Sequence, residues 1–143
     1  MLGPCWRGGR QPGGGLGVGE ALNRQTVERL FEALIEGDLA LFHAQFREDS
    51  VIEFPQSRER IVGGENRRAV YGAFPGRPSV SRILTGGHLA IVEAAVDYGD
   101  GVDWCAVFIY ELRDGKIARA TIYWAQPFEA TESRKAWVER MDD

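Results

Sequence analysis

Few side chains in this 143-residue chain are suited to acid–base, nucleophilic or metal chemistry. Its two imidazoles are His43 and His88, and its two thiols are Cys5 and Cys105. A histidine titrates near neutrality and can act as general base or acid. His43 lies beside the apolar stripe Leu39, Phe42 and Phe46. It reads as a partly covered boundary residue, or as a general base if it faces a cavity. His88 follows a Gly-Gly pair and reads as exposed. These residues lack zinc-ligand spacing, so no metal site is expected. Glu53 alternates with Phe54 and should face outward, and Glu111 is out of phase with Phe108. Arg58, Glu59 and Arg60 make a charged loop of a kind that can cover a pocket. A glycine-rich run near the N-terminus suggests a phosphate cradle, but its spacing fits neither G-x-G-x-x-G nor the Walker pattern.

Composition narrows the classes further. Eight of the 18 glycines fall in the first 19 residues, with Pro4, Pro12, Arg7, Arg10 and no acid. Residues 1-19 therefore read as a disordered, basic leader, and residues 20-143 as one acidic domain. Arginine outnumbers lysine 15 to 2, as GC-rich coding gives. A GTG start at Val18 would make residues 1-17 an over-called extension. No apolar run is long enough to span a membrane, and Gly and Pro interrupt any secretory signal. An acidic domain without clustered cations argues against nucleic acid, and the Arg67-Arg68 doublet reads as a solvated helix face. One cysteine lies in the leader and one in an apolar strand, so a reduced, cytoplasmic setting is expected.

The elements that must position these residues follow from periodicity. Val27, Leu30, Phe31, Leu34 and Ile35 predict an amphipathic helix over about 22-36. Gly37 suits its exit, and Asp38 suits the cap of a shorter second helix reaching residue 47. Val51 to Gln56 predicts a short strand, and Gly64 to Phe74 a third helix. Four strands follow, 79-86, 88-98, 102-113 and 116-126. Gly86-Gly87 and Asp114-Gly115 are hairpin signals. Thr131 should open a last helix. Helices first and an antiparallel meander second give an α+β fold. Val102-Arg113 is apolar on both faces, so its outer face needs a cover. The last helix or a second copy of the chain could supply one, and a homodimer through that face is expected.

The run VERLFEALIEGDLALFHAQFREDSVIEFP resembles the opening of nuclear-transport-factor-2-like proteins, among them SnoaL-like cyclases, ketosteroid isomerases and limonene epoxide hydrolases. IVGGENRRAVYGAF is similar to their third helix and YELRDGKIARATIYWAQPFEA to their closing hairpin. FPQSRERIVGGEN and YWAQPFEATESRKAWVER are most like an uncharacterised bacterial SnoaL-like subgroup. The resemblance implies a cone, a curved antiparallel sheet wrapped around helices and an apolar pocket. Carried over residue by residue, it removes the known proton carriers. The isomerase tyrosine and aspartates fall on Leu30, Phe54 and near Phe108. The epoxide hydrolase acids fall near Ile122 and around Ile91 to Glu93, where Glu93 alone survives. The cyclase acid falls among Tyr123, Trp124, Ala125 and Gln126.

With Phe54 inward by that alignment, period-2 alternation puts Ile52 and Gln56 on its face. The same parity turns Trp104, Ala106, Phe108 and Tyr110 inward, then Ala118, Ala120, Ile122, Trp124 and Gln126. Val92, Ala94 and Val96 read as core, with Glu93 and Asp97 outward. The expected ligand-binding set is Phe54, Gln56, Trp104, Phe108, Tyr110, Ile122, Trp124 and Gln126, around a small hydrophobic molecule and with no cofactor. The function expected is small-molecule binding. The alternative is a cofactor-independent cyclase, isomerase or hydrolase that uses His43 or Tyr110 with a glutamine on a polyketide-, steroid- or terpenoid-like compound.

Overall fold

The computed structural model describes residues 18–141. The leader before residue 18 and the alternative start therefore concern residues outside the described ones. Chain order is α1 (Val18–Glu36), α2 (Leu39–Ala44), β1 (Phe46–Phe54), β2 (Glu59–Val62), α3 (Gly63–Ala73), β3 (Arg77–Gly86), β4 (Leu89–Asp97), β5 (Asp103–Arg113) and β6 (Lys116–Ala125). A short 3-10 helix, Glu132–Trp137, follows. The six strands form one curved sheet in the order β2-β1-β6-β5-β4-β3. This is the α+β fold expected, with one correction. β1 and β6 pair in parallel, so the sheet is mixed rather than antiparallel.

Helix α1 lies against the inner face of the sheet through Val27, Leu30, Phe31, Ala33 and Leu34, all buried. Ile35, grouped with that stripe by sequence, is 41% exposed. Polar side chains fasten the start of α1 to two hairpin turns. Glu20 accepts from the Gly87 N–H at 2.8 Å, Asn23 donates to the Gly87 carbonyl at 3.2 Å, and Thr26 donates to the Gly115 carbonyl at 2.7 Å. Gly37, at φ +77°, ends α1, and the Asp38 carboxylate accepts from Leu41 N–H at 3.0 Å to cap α2.

Alternation is as read on β4 and β5. Ala90, Val92, Ala94 and Val96 are buried, as are Ala106, Phe108, Tyr110 and Leu112. On the other face Glu53 pairs with Arg60 and Arg119, Glu93 with Arg82, and Glu111 with Arg119. Asp114 and Gly115 both take positive φ between the paired ends Arg113 and Lys116, as a two-residue hairpin of that type needs. The other hairpin turns one residue later than read. Gly86 pairs with Leu89, so Gly87 and His88 form the loop.

Four further differences follow. β1 begins at Phe46 rather than Val51, because Phe46, Ser50 and Ile52 are buried while the polar run Arg47-Glu48-Asp49 masks the alternation. β2 occupies part of the charged loop, held by the Ile52–Ile61 pair. The register shifts between Glu111 and Leu112, which turns Ile117 inward in place of Ala118. The last helix is a short 3-10 segment with no buried residue, and Trp137 is 82% exposed, so it does not cover the sheet.

Candidate functional site

Topology gathers aromatic residues at one end of the sheet. β1 and β6 run in parallel and finish there, β5 starts there and β4 finishes there. Phe54 closes β1, Trp124 nearly closes β6, Trp104 opens β5 and Tyr98 follows β4. The Phe54 and Trp124 rings meet edge to face at 4.9 Å, and Tyr98 and Trp104 at 6.5 Å. The Trp104 indole N–H donates to Asp100 at 2.9 Å. Phe54, Trp104 and Trp124 are only partly covered. Gln56 and Gln126, just beyond the two parallel strands, are exposed.

Deeper along the same face, Phe108 pairs across from Ile122, and Tyr110 lies two residues further in. Phe31 of α1 stands edge-on to Phe108 at 5.1 Å and to Tyr110 at 6.3 Å. Tyr110 is 3% exposed. Its hydroxyl has no hydrogen-bond partner among the described residues.

Two tyrosines that sequence reasoning missed come to the same region. Tyr71 of α3 packs its ring on Phe42 at 4.6 Å, and Tyr98 rests on the backbone of Gly76. Tyr71, Tyr98 and Tyr110 all hold their protons above the usual tyrosine range. Burial is the main cause, and for each a nearby negative charge or second tyrosine adds to it. The phenols of Tyr71 and Tyr98 both act on Tyr110. All three are neutral O–H groups near pH 7. Beside Tyr98 a depression of about 360 Å³ opens between Leu34, Ile35, Phe74 and Pro75.

The other end of the sheet is charged. A groove of about 720 Å³ runs between α2 and the starts of β1 and β6, lined by His43, Arg47, Glu48, Asp49, Arg68 and Lys116 among others. Arg67 packs behind it at 1% exposure, so the doublet is only half solvated: Arg68 is exposed, and Arg67 is core. Arg67 Nε donates to His43 Nδ1 at 3.1 Å. Its Nη1 donates to the Arg47 carbonyl at 3.2 Å and to the Ser50 hydroxyl. The Phe46 ring lies 4.4 Å from its guanidinium carbon. His43 is partly covered, as expected, but it pairs with Arg67 rather than with Tyr110 or Gln126. Desolvation first, then the Arg67 and Arg68 charges, lower its pKa to about 4. It is neutral at pH 7, with its proton on Nε2. Among the described residues no cluster of three or more His, Cys, Asp or Glu could hold a metal ion.

A curved mixed sheet folded over α1, with an aromatic inner face, defines the nuclear-transport-factor-2-like class. Within it the chain belongs to the SnoaL-like domain family, whose pattern matches residues 27–120. An NTF-2-like protein of unknown function from Burkholderia xenovorans LB400 is 34% identical, with 88% of this chain and 100% of that one covered at TM-score 0.78. A candidate ketosteroid isomerase from Kribbella flavida DSM 17836 is 28% identical over 87% of this chain and 93% of that one, also at TM-score 0.78. An epoxide hydrolase from M. tuberculosis shares the fold at 22% identity and TM-score 0.65, covering 74% and 84%. No curated protein matches the sequence. No helix among the described residues is long and apolar enough to cross a membrane.

Proposed function

We propose that the chain binds a flat, hydrophobic small molecule at the aromatic end, without a cofactor. The observation that carries this is the Tyr110 hydroxyl, buried among rings and without a hydrogen-bond partner among the described residues. A buried hydroxyl without a partner costs about 1–3 kcal/mol, which a ligand oxygen would offset. In this reading Phe54, Trp104 and Trp124 flank the ligand, Phe108 and Ile122 lie beneath it, and Gln56 and Gln126 meet its polar edge. Tyr71 and Tyr98 add neutral donors near Tyr110. A thermal-shift screen of steroids, polyketides and terpenoids tests it. A binder at a hundred times its Kd should stabilise the fold by about 2.7 kcal/mol. No stabilisation by any apolar compound would sink the proposal.

A cofactor-independent isomerase, cyclase or hydrolase is the second reading, favoured by the 28% identity to a candidate ketosteroid isomerase. Against it, the described residues bury no Asp or Glu side chain, and His43 is bound to Arg67. Incubating each binder with the protein and following it by mass spectrometry separates the two, since recovery of unchanged ligand supports binding alone.

The proposed partner is a second copy of the chain, docked on the outer sheet face, where Val107 and Ile109 stay half-covered and Tyr123 is exposed. A monomer mass by light scattering at micromolar concentration would count against it. A cytoplasmic setting belongs to the same proposal.

A further inference from the structure

Among the described residues Arg67 is a buried cation in contact with no counter-charge. Its acceptors are an imidazole nitrogen, a backbone carbonyl and a hydroxyl, all neutral, and its Nη2 has no partner among the described residues. Buried ions are ordinarily paired, because desolvation otherwise costs several kcal/mol. The acid whose charge acts on it is Glu48, on β1. Its carboxylate is taken by both terminal nitrogens of Arg68, at 2.7 and 3.1 Å.

One route leads from that cation to the groove. Arg67 fixes His43 as an acceptor at Nδ1, so the imidazole proton sits on Nε2. His43 is also a lining residue of the groove, and among the described residues no group is bonded to Nε2. Lys116, on the same wall, is in no ion pair among the described residues. Arg47 stands beside it and is shared between Asp49 at 3.2 Å and Asp114 at 3.8 Å. The lining thus carries three cations, Arg47, Arg68 and Lys116, against two acids, Glu48 and Asp49, with Arg67 behind His43 and Asp114 beside Arg47, in a chain whose net charge is -4.

We propose that this groove is an anion site, where a small phosphate-type anion accepts from His43 Nε2, is held by Lys116, and supplies the counter-charge that Arg67 lacks. A tetrahedral anion suits donors that come from α2, β1 and β6, since it offers acceptors in several directions. The site lies at the opposite end of the sheet from the aromatic residues, so it does not depend on the function proposed for them.

Titrating the protein with inorganic phosphate at constant ionic strength tests this, read by the imidazole ¹⁵N resonances of His43 and His88. Phosphate to about 20 mM should move His43 saturably and leave His88 in place. Bound phosphate should raise the proton affinity of His43 about tenfold, against the opposing charges of Arg67 and Arg68 and beside Glu48 and Tyr71. Lys116→Ala removes an exposed side chain, so the fold should survive, and it should weaken phosphate at least about fivefold. The proposal is overturned by a silent His43, by equal shifts at both histidines, or by unchanged affinity in Lys116→Ala. Acetate binding as tightly as phosphate would overturn its phosphate class.

Discussion

At the aromatic end three tyrosines keep their hydroxyls neutral, and Tyr110, buried among rings, has no bonded partner among the described residues. At the charged end a full cation is buried, yet three acceptors and the face of Phe46 surround it. Both groups would be better solvated in water. The cation's desolvation is far larger, so it needs the denser set of contacts to be tolerated at all. The hydroxyl's smaller cost can be left standing until something else meets it. Helix α3 carries both solutions on one face, because Arg67 and Tyr71 are four residues apart.

The largest expected effect is at the charged end. Arg67→Ala empties a fully buried site and strands the Ser50 hydroxyl and the Arg47 carbonyl, so it should cost about 3 kcal/mol in urea unfolding. Arg67→Met keeps most of the volume and removes the buried charge, so its cost should be well under half of that. Equal losses for the two would mean that the hydrogen bonds, rather than the space filled, make the charged end stable.

Acid should act next, again at that end. His43 has a folded pKa of about 4, below the 6.5 of an unfolded histidine. Its contribution to stability is therefore present above pH 6.5 and is lost as pH falls through 4. Protonation removes the acceptor that Arg67 uses and sets two cations side by side. The ring is partly solvated, so the loss should be about 1–2 kcal/mol after screening. Denaturant midpoints between pH 7 and 4 measure it, and His43→Gln should flatten the slope. An unchanged slope in that variant would place the acid sensitivity elsewhere.

How much of this was legible in the sequence depended on alternation. β4 and β5 alternate without a break, so their inner faces, Phe108 and Tyr110 included, could be read directly. β1 hid its first half because Arg47, Glu48 and Asp49 are polar on both faces, and Ser50 is buried only because Arg67 reaches it. Ala118 misled because one shift in strand pairing reverses every side chain beyond it. Arg67 was read as solvent-facing because its neighbour Arg68 is. The pattern Gly64, Arg67, Tyr71 could have found it, since that helical stripe faces the core while Val70 is exposed. Nothing local marked Tyr98, which reaches the other tyrosines only through the turn after β4.

The smallest expected change in stability is the one that separates the two ends most sharply. Tyr110→Phe removes a hydroxyl that bonds to nothing among the described residues. Stability should therefore stay level or rise by up to about 1 kcal/mol, because no hydrogen bond is lost and a polar atom no longer has to be buried. The stacking on Phe108 and the edge contact with Phe31 would remain, since the ring is unchanged. Affinity for an oxygen-bearing ligand should fall about tenfold, the loss expected for one good donor, while an analogue lacking that oxygen should bind both proteins alike. Calorimetry on the two proteins with the matched pair of ligands reads this out. If stability instead fell by more than about 1 kcal/mol, the hydroxyl would have an internal partner, and the aromatic end would be closed in the way the charged end is.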